Sequence, residues 1–289
     1  YSKDDSLLTD LIGVYHFDAI IDHSINDPPH ALTDYATSFG DSVGNAGAIR
    51  ADGIQVWGGS PFGGNSYWFD RDVNSYVTIG NNQTFDMAND LTISVWVYPV
   101  DRVNQNILEK SHSAEGELRI FDDGELVFFQ GKNDSDEYDN TKYDKIESGL
   151  IVPINAWSNI VVVRDKSSKT ITFYLNGTSS GPKAYANVVA SSTDDLIIGG
   201  RVGLGTSAID PFRLRYSGMI DELAIWKRVL SSDEVTSLYQ EVSSISTSNF
   251  PDCNPGEYLK KKSSSEWECV TKQDLSNITK TPVNLTHLS

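Results

Sequence analysis

The sequence predicts an all-β chain folded as a two-sheet antiparallel sandwich with a short C-terminal helix. Three observations carry that expectation. Apolar residues alternate with polar ones in short runs such as LTISVWV (91–97) and ITFYL (171–175), the period of a half-buried strand. Glycine is frequent (22) and proline sparse (10), with Gly-Gly at 58–59, 63–64 and 199–200, as many tight turns require. Only one segment has a clear helical period. There Ser231 or Ser232 caps the start, Asp233 and Glu234 fill the first turn, and Val235, Leu238 and Tyr239 follow on one face.

In order, the strand-like segments are Leu11–Phe17, Tyr67–Phe69, Tyr76–Ile79, Leu91–Tyr98, Asn106–Ser111 and Glu117–Phe121. Then come Glu125–Gln130, Ala156–Arg164, Lys169–Leu175, Asp195–Gly199 and Gly218–Trp226. Two pairs read as hairpins. Asp123-Gly124 turns ELRIF into ELVFF, and Asp165 to Ser168 turns the β-prone run before it onto the one after. A single helical turn is expected near Phe85–Ala88. Runs of short strands with so little helix exclude an α/β fold.

Composition changes after Tyr239. Residues 1–240 hold the sandwich, and 241–250, beginning EVSSISTS, have the small polar character of a linker. Residues 251–289 form a tail in which Tyr258, Leu259 and Trp267 flank a Lys-Ser turn. Cys253 and Cys269 lie within this one short segment, as a local disulfide would place them. Such a bond contributes roughly 3 kcal/mol in the chain-entropy model, and a unit this small needs it or a neighbouring surface. Val283 and Leu285 alternate with polar residues, as an edge or exchanged strand would.

Forty carboxylates against 23 basic side chains give a net charge of −17. That balance repels phosphate backbones, so nucleic acid is excluded as a partner. It equally suits a solvated surface or carboxylates gathered around a hard cation. No apolar run approaches the ~20 residues of a membrane-spanning helix, so membrane insertion is not expected. The chain does not begin with Met, and is expected to be processed or truncated. Asn-x-Ser/Thr sequons at Asn82, Asn133, Asn176, Asn277 and Asn284, with the paired cysteines, favour a secreted or cell-surface location.

Taken in order, several blocks resemble laminin-G-like domains of the concanavalin A-like superfamily. LIGVYHFDA (11–19) with IDHSIND (21–27) resembles the opening strand and its Asp-x-Ser loop. SYWFDRDVNSYVTIG (66–80) resembles an aromatic-Asp phrase leading into a strand. LTISVWVYPVDRVNQNILEK (91–110) resembles the central strand with its Trp. AWSNIVVVRD (156–165), ITFYLNGT (171–178) and LIIGGR (196–201) resemble the next three strands, and GMIDELAIWKRVLSSDEVTSLY (218–239) the closing strand and helix. The departures are Arg71-Asp72 where the family usually has Gly, a long Gly-rich stretch at 34–64, and an acidic insertion at Asp134–Asp144.

The resemblance implies a two-sheet antiparallel jelly roll and one Ca²⁺ where the opening segment meets the closing strand. The matching positions are Asp18, Asp22, Asn26 and Asp221, oxygen donors of the type Ca²⁺ requires. The same side chains are also suited to Asx-turns and loop hydrogen bonds. Aromatic residues on loop-like segments (Trp57, Tyr67, Trp68, Tyr138) are candidates for stacking on sugars, although Trp68 also fits a strand, while Trp96, Trp157 and Trp226 read as core. Catalysis is not expected. The histidines (His16, His23, His30, His112, His287) have no triad or metalloprotease spacing, and neither IDELAIW nor GELRIFDDGE has the Glu-x-Asp-x-x-Glu of sandwich glucanases.

The function expected is a non-catalytic extracellular adhesion or structural surface protein. Its partners would be cell-surface proteins or glycans, or other copies of itself joined through terminal strands into a filament. The alternative is a Ca²⁺-dependent carbohydrate-binding lectin module. The sequence names no ligand.

Overall fold

The alternating run at 91–99 becomes the central strand of the larger of two sheets. The computed structural model describes residues 7, 9–15, 17, 49–52, 55–58, 60, 65–72, 75–81, 86–132, 141–201, 214–243, 257–263 and 266–271. The first strands are β1 (Leu11–Tyr15), β2 (Ile49–Asp52), β3 (Gln55–Gly58), β4 (Asn65–Phe69), β5 (Tyr76–Ile79) and β6 (Leu91–Pro99). Next come β7 (Gln105–Lys110), β8 (Gly116–Ile120), β9 (Glu125–Gly131), β10 (Tyr143–Ile151), β11 (Ser158–Asp165) and β12 (Thr170–Leu175). Then follow β13 (Thr178–Ala184), β14 (Leu196–Ile198), β15 (Gly218–Trp226), α1 (Ser232–Ser243), β16 (Glu257–Ser263) and β17 (Glu266–Thr271).

One sheet has the order β13-β12-β11-β6-β15-β4-β3, with β1 also paired to β15; the other runs β10-β9-β8-β7-β14-β5-β2. Every described pairing is antiparallel. Between the sheets lie Ile93, Val95 and Val97 of β6, Ile171 and Phe173 of β12, and Leu108, Leu118 and Phe128 of the opposing sheet. This is the inward row that the alternation predicts, with Leu175 packed at its margin. The sandwich expectation holds. Four strands were not anticipated, namely β2, β3, β10 and β13. β10 (YDKIESGLI) and β13 (TSSGPKA) are mostly polar, because edge strands face solvent and need little apolar alternation.

The outer face of the larger sheet is covered by α1 and the β1 segment. Leu7, Leu11, Val161, Val163, Ala224, Trp226, Leu230, Val235 and Leu238 form a second apolar cluster there. Trp226 Nε1 donates to the Leu7 carbonyl at 2.7 Å. The cap of α1 is Ser231: the Glu234 N–H donates to its Oγ at 3.3 Å, and the Ser231 N–H donates to Glu234 Oε2 at 2.8 Å. This reciprocal pair satisfies two otherwise orphaned donors. The helix continues to Ser243, three residues into the segment that reads as linker.

A buried polar plug ties the two sheets together at one end of the sandwich. Arg164 on β11 donates to the carbonyls of Met87, Asn89 and Glu115 and to Gln130 Oε1, at 3.0 Å for Asn89, 2.8 Å for Glu115 and 3.0 Å for Gln130. Burial lowers its guanidinium to about 10, opposed by nearby Tyr185, Glu115, Asp90 and Asp86. The Glu115 carboxylate accepts from Lys110 Nζ at 2.5 Å, from the Met87 N–H at 2.6 Å and from the N–H and Oγ of Ser192 at 2.7 and 2.9 Å. The Lys110–Glu115 ion pair is closed to solvent.

β10 lies against β12 and β13 on one side of the molecule. Edge pairing there is blunted by Pro182, which has no N–H, and by the register shift at Gly149 in β10 (φ 76°). On the opposite side β16 runs alongside β3, so the tail hairpin rests against the sandwich. Its strands pair with Leu259 opposite Cys269. Cys253 lies outside the described residues, as does the C-terminal segment carrying Val283 and Leu285. No helix among the described residues is long and apolar enough to cross a membrane.

The plug has a measurable consequence. Replacing Glu115 with Leu leaves Lys110 and Arg164 buried without their counter-charge, and is expected to cost about 3–5 kcal/mol in urea unfolding. A loss below about 1 kcal/mol would show that solvent reaches these cations.

Candidate functional site

Register places charged and aromatic residues in two rows across the outer face of the smaller sheet. One row runs Thr78, Ile197, Glu109, Glu117, Phe129 and Lys145 from β5 to β10. The second runs Asn106, Arg119, Val127 and Glu147. Cross-strand partners point to the same face, so these side chains are neighbours. The alternation that sends Leu118, Ile120 and Phe128 into the core sends Glu117, Arg119 and Phe129 outward.

At the centre, Glu117 joins His112 and Arg119. His112 Nδ1 lies 2.6 Å from Glu117 Oε2, and the Arg119 guanidinium contacts Glu117 Oε1 while its Nε donates to Asn106 Oδ1 at 3.0 Å. Glu109 Oε1 accepts the His112 N–H at 3.1 Å, and its Oε2 accepts from Asn106 Nδ2 at 3.3 Å. Arg201 Nε stands 3.6 Å from Glu109 and 4.0 Å from Glu117.

Aromatic rings interleave with the cations. The Arg119 guanidinium sits 4.7 Å from the Phe129 ring centre and 5.8 Å from that of Phe121, and Lys145 Nζ sits 4.4 Å from Phe121. His112 packs between Phe129 and Tyr143, at 4.5 and 4.8 Å. The site is graded in depth. The Glu117 side chain is 0% exposed and that of Arg119 12%, while Lys145 reaches 38% and Glu147 55%. Phe121 and Tyr143 are half-buried along the rim.

The two facing glutamates are driven apart in acidity. Burial and the charge of Glu117 raise Glu109 well above the ordinary glutamate value. Burial raises Glu117 too, but the His112 hydrogen bond and the charges of Arg119, His112 and Arg201 outweigh it and bring it to about 2. Like charges on facing positions resolve by protonating one partner. Glu109 is thereby biased towards its neutral form and Glu117 towards its ionised form. Side chains locked in this way are suited to recognition by matched polar contacts.

The residues expected to hold Ca²⁺ are only partly described. Asp221 is fully buried on β15, and its Oδ1 accepts the Glu222 N–H at 2.9 Å. It sits where β15 shifts register and its flanking strand changes from β4 to β1. Asp18, Asp22 and Asn26 lie outside the described residues. Among the described residues no three His, Cys, Asp or Glu side chains gather as a metal site would require. Asn176 holds the β12–β13 turn at φ 50°, with its Oδ1 accepting the Asn159 N–H at 2.8 Å. Asn82, Asn133, Asn277, Asn284 and Tyr138 are outside the described residues.

One aromatic candidate is corrected and a second takes its strand reading. Tyr67 packs in the main core rather than on a loop, and Trp68 packs with Tyr98 and Met219, in keeping with its fit to a strand; both lie on β4, where the sequence predicts the strand Tyr67–Phe69. Trp57 lies on β3. Trp96 and Trp226 are buried as expected, whereas Trp157 is only half-buried beside Tyr98. The charged face escaped the sequence reading. Its signal was available in Glu-x-Arg opposite Glu109, but cross-strand register is needed to bring those residues together.

The sequence profile of the Laminin G 3 family, described as the Concanavalin A-like lectin/glucanases superfamily, matches residues 71–236. A search of curated protein sequences finds no match. Among solved structures, domain 4 of AbnA, a GH43 extracellular arabinanase from Geobacillus stearothermophilus, in complex with arabinotriose, is similar at 18% identity. Its TM-score is 0.54, with 80% of this chain and 98% of that one covered. The binding domain of Paraclostridial Mosquitocidal Protein 1 aligns at 17% identity and TM-score 0.53, over 71% of this chain and 49% of that one. The binding domain of botulinum neurotoxin DC in complex with rat synaptotagmin II aligns at 15% identity and TM-score 0.52, over 75% and 55%. The chain thus spans about half the length of these toxin domains, and at such identities the likeness is one of fold.

The split acidities set the pH dependence of stability. Glu109 holds its proton more tightly folded than unfolded, so its contribution is complete below the ordinary glutamate value and declines as pH rises through its folded value. Glu117 acts oppositely: its contribution is present above the ordinary value and is lost as pH falls towards about 2. Urea melts across pH should therefore peak in mild acid, and Glu109→Gln should flatten the alkaline limb. An unchanged limb in that variant would refute the assignment.

Proposed function

This chain belongs to the concanavalin A-like lectin/glucanases superfamily, and from that premise we propose that it is a non-catalytic extracellular recognition and adhesion module for cell-surface glycans or glycoproteins. The observation that carries this reading is the graded outer face of the smaller sheet. Phe121 and Tyr143 offer half-buried aromatic surface at a rim, beside hydrogen-bonding groups held rigid beneath it. Sugars are recognised by that combination of an apolar surface and a few oriented polar groups. The similar solved structures include a domain in complex with arabinotriose and domains named for binding, which favours recognition over catalysis.

A Ca²⁺ ion at Asp221 is the companion proposal. It is motivated by a fully buried carboxylate at the seam where β1 and β4 meet along β15. Calcium would order that seam, and is expected to raise the melting temperature at millimolar concentration in the wild type and not in Asp221→Ala. No shift in the wild type removes the ion.

Glycan-array screening followed by calorimetry tests the main reading. Phe121→Ala and Tyr143→Ala are expected to weaken binding of the best saccharide by about tenfold or more, with the melting temperature little changed. Full binding in both variants would place recognition elsewhere on the molecule.

A further inference from the structure

We propose that the outer face of the smaller sheet takes a neutral oligosaccharide laid along β10, with Tyr143 carrying one sugar unit and the Lys145–Glu147 pair reading hydroxyl groups of the next. The inference rests on the glycan-recognition reading and adds the ligand's charge, its length and the two residues that select it. β10 is the edge strand of its sheet. Along it Lys145 and Glu147 are exposed while Ile146 and Ser148 are buried, so alternate residues from Tyr143 share the outer face. At the usual rise of a strand, Lys145 lies about 7 Å and Glu147 about 13 Å beyond Tyr143. That span exceeds one sugar ring and fits a short chain.

Charge decides against an acidic ligand. The cations beneath the rim are committed, Arg119 to Glu117 and Arg201 beside Glu109 and Glu117. Glu109 is closed to solvent, and its two oxygens already accept from the His112 N–H and Asn106 Nδ2. Within the two rows the charged groups most open to solvent form one balanced pair, in which Lys145 Nζ donates to Glu147 Oε1 at 2.5 Å. Glu125, on the same face of β9, adds a further carboxylate at the margin, where its Oε1 accepts the Gly149 N–H at 2.8 Å. An anionic sugar would gain a cation here only by displacing Glu147, and that displaced carboxylate would then repel it. A neutral sugar meets no such cost.

The pair also has the chemistry that a sugar requires. A hydroxyl group both donates and accepts, so two adjacent hydroxyls of one ring match an ammonium beside a carboxylate. One accepts from Lys145 and the other donates to Glu147, and both bonds are strengthened by the charge of the protein group. Lys145 is steadied for this by Phe121, whose ring centre lies 4.4 Å from Nζ. Phe121 thus flanks the pair and already meets the chain's own cations, with Arg119 at 5.8 Å as well. Tyr143 packs instead on other rings, those of His112 and Phe129. It is half-buried, and its remaining surface is the platform for the carbon face of the first sugar unit.

Isothermal titration of the whole chain with arabinotriose, cellotriose, mannotriose, the corresponding monosaccharides and trigalacturonate tests this. At least one neutral trisaccharide should bind about tenfold or more tighter than its monosaccharide and than trigalacturonate. Lys145→Ala and Glu147→Ala, both at exposed positions, should melt as the wild type does and bring that trisaccharide down to the level of its monosaccharide. Glu147→Ala leaves Lys145 without its counter-charge, and should raise trigalacturonate binding about tenfold. A purely structural role for the pair would move the melting temperature without this change of preference. Trigalacturonate binding as tightly as the neutral trisaccharides, no gain from monosaccharide to trisaccharide, or the gain kept in either variant overturns the inference and leaves the glycan reading standing. No binding of any neutral trisaccharide overturns it too, and if the glycan array is also blank, that reading fails with it. Should either variant not fold, the length and charge series on the wild type decide alone.

Discussion

The sandwich depends on a charged group placed where an apolar one would ordinarily stand. Arg164 ends the inward row of β11 in the larger sheet and directs its donors to three carbonyls and one amide oxygen from the segment before β6, the β7–β8 turn and β9 of the smaller sheet. Glu115, whose carbonyl is one of those acceptors, uses its carboxylate to hold Lys110, Met87 and Ser192. Apolar packing is non-directional and tolerates sliding between sheets. A buried network of fixed hydrogen bonds does not, because each misplaced partner leaves a polar group without water or protein. The plug thereby sets how the smaller sheet sits on the larger.

The outer face of the smaller sheet is built by the same means for a different end. Here too carboxylates, guanidinium groups and amides satisfy one another, but the network climbs from fully buried Glu117 to exposed Lys145 and Glu147. The buried end is fixed by its ion pairs and hydrogen bonds, and the open end reaches solvent. Among the described residues the outer face of the larger sheet is instead covered by apolar side chains of α1 and the β1 segment.

Legibility from sequence followed local pattern. LTISVWV and ITFYL became inward rows because alternation and burial coincide there. The Ser231–Glu234 cap was visible because capping is decided within four residues. β10 and β13 were not visible, because an edge strand is held by its neighbour's backbone and needs no apolar face of its own. The strand at Tyr67–Phe69 was visible, but its burial was not, because the pairing of β4 with β15 and β3 joins distant segments.

By itself the sequence determined the sandwich class, the inward residues of its strongest strands, the closing helix and the acidic character of the chain. Those follow from periodicity and composition, which are local and additive. Tertiary structure alone decided that Glu109 faces Glu117, that His112 and Arg119 share the latter, and that Arg164 turns inward. The physical reason is register. A strand offers its side chains alternately to two faces, and only the alignment of neighbouring strands determines which charges meet.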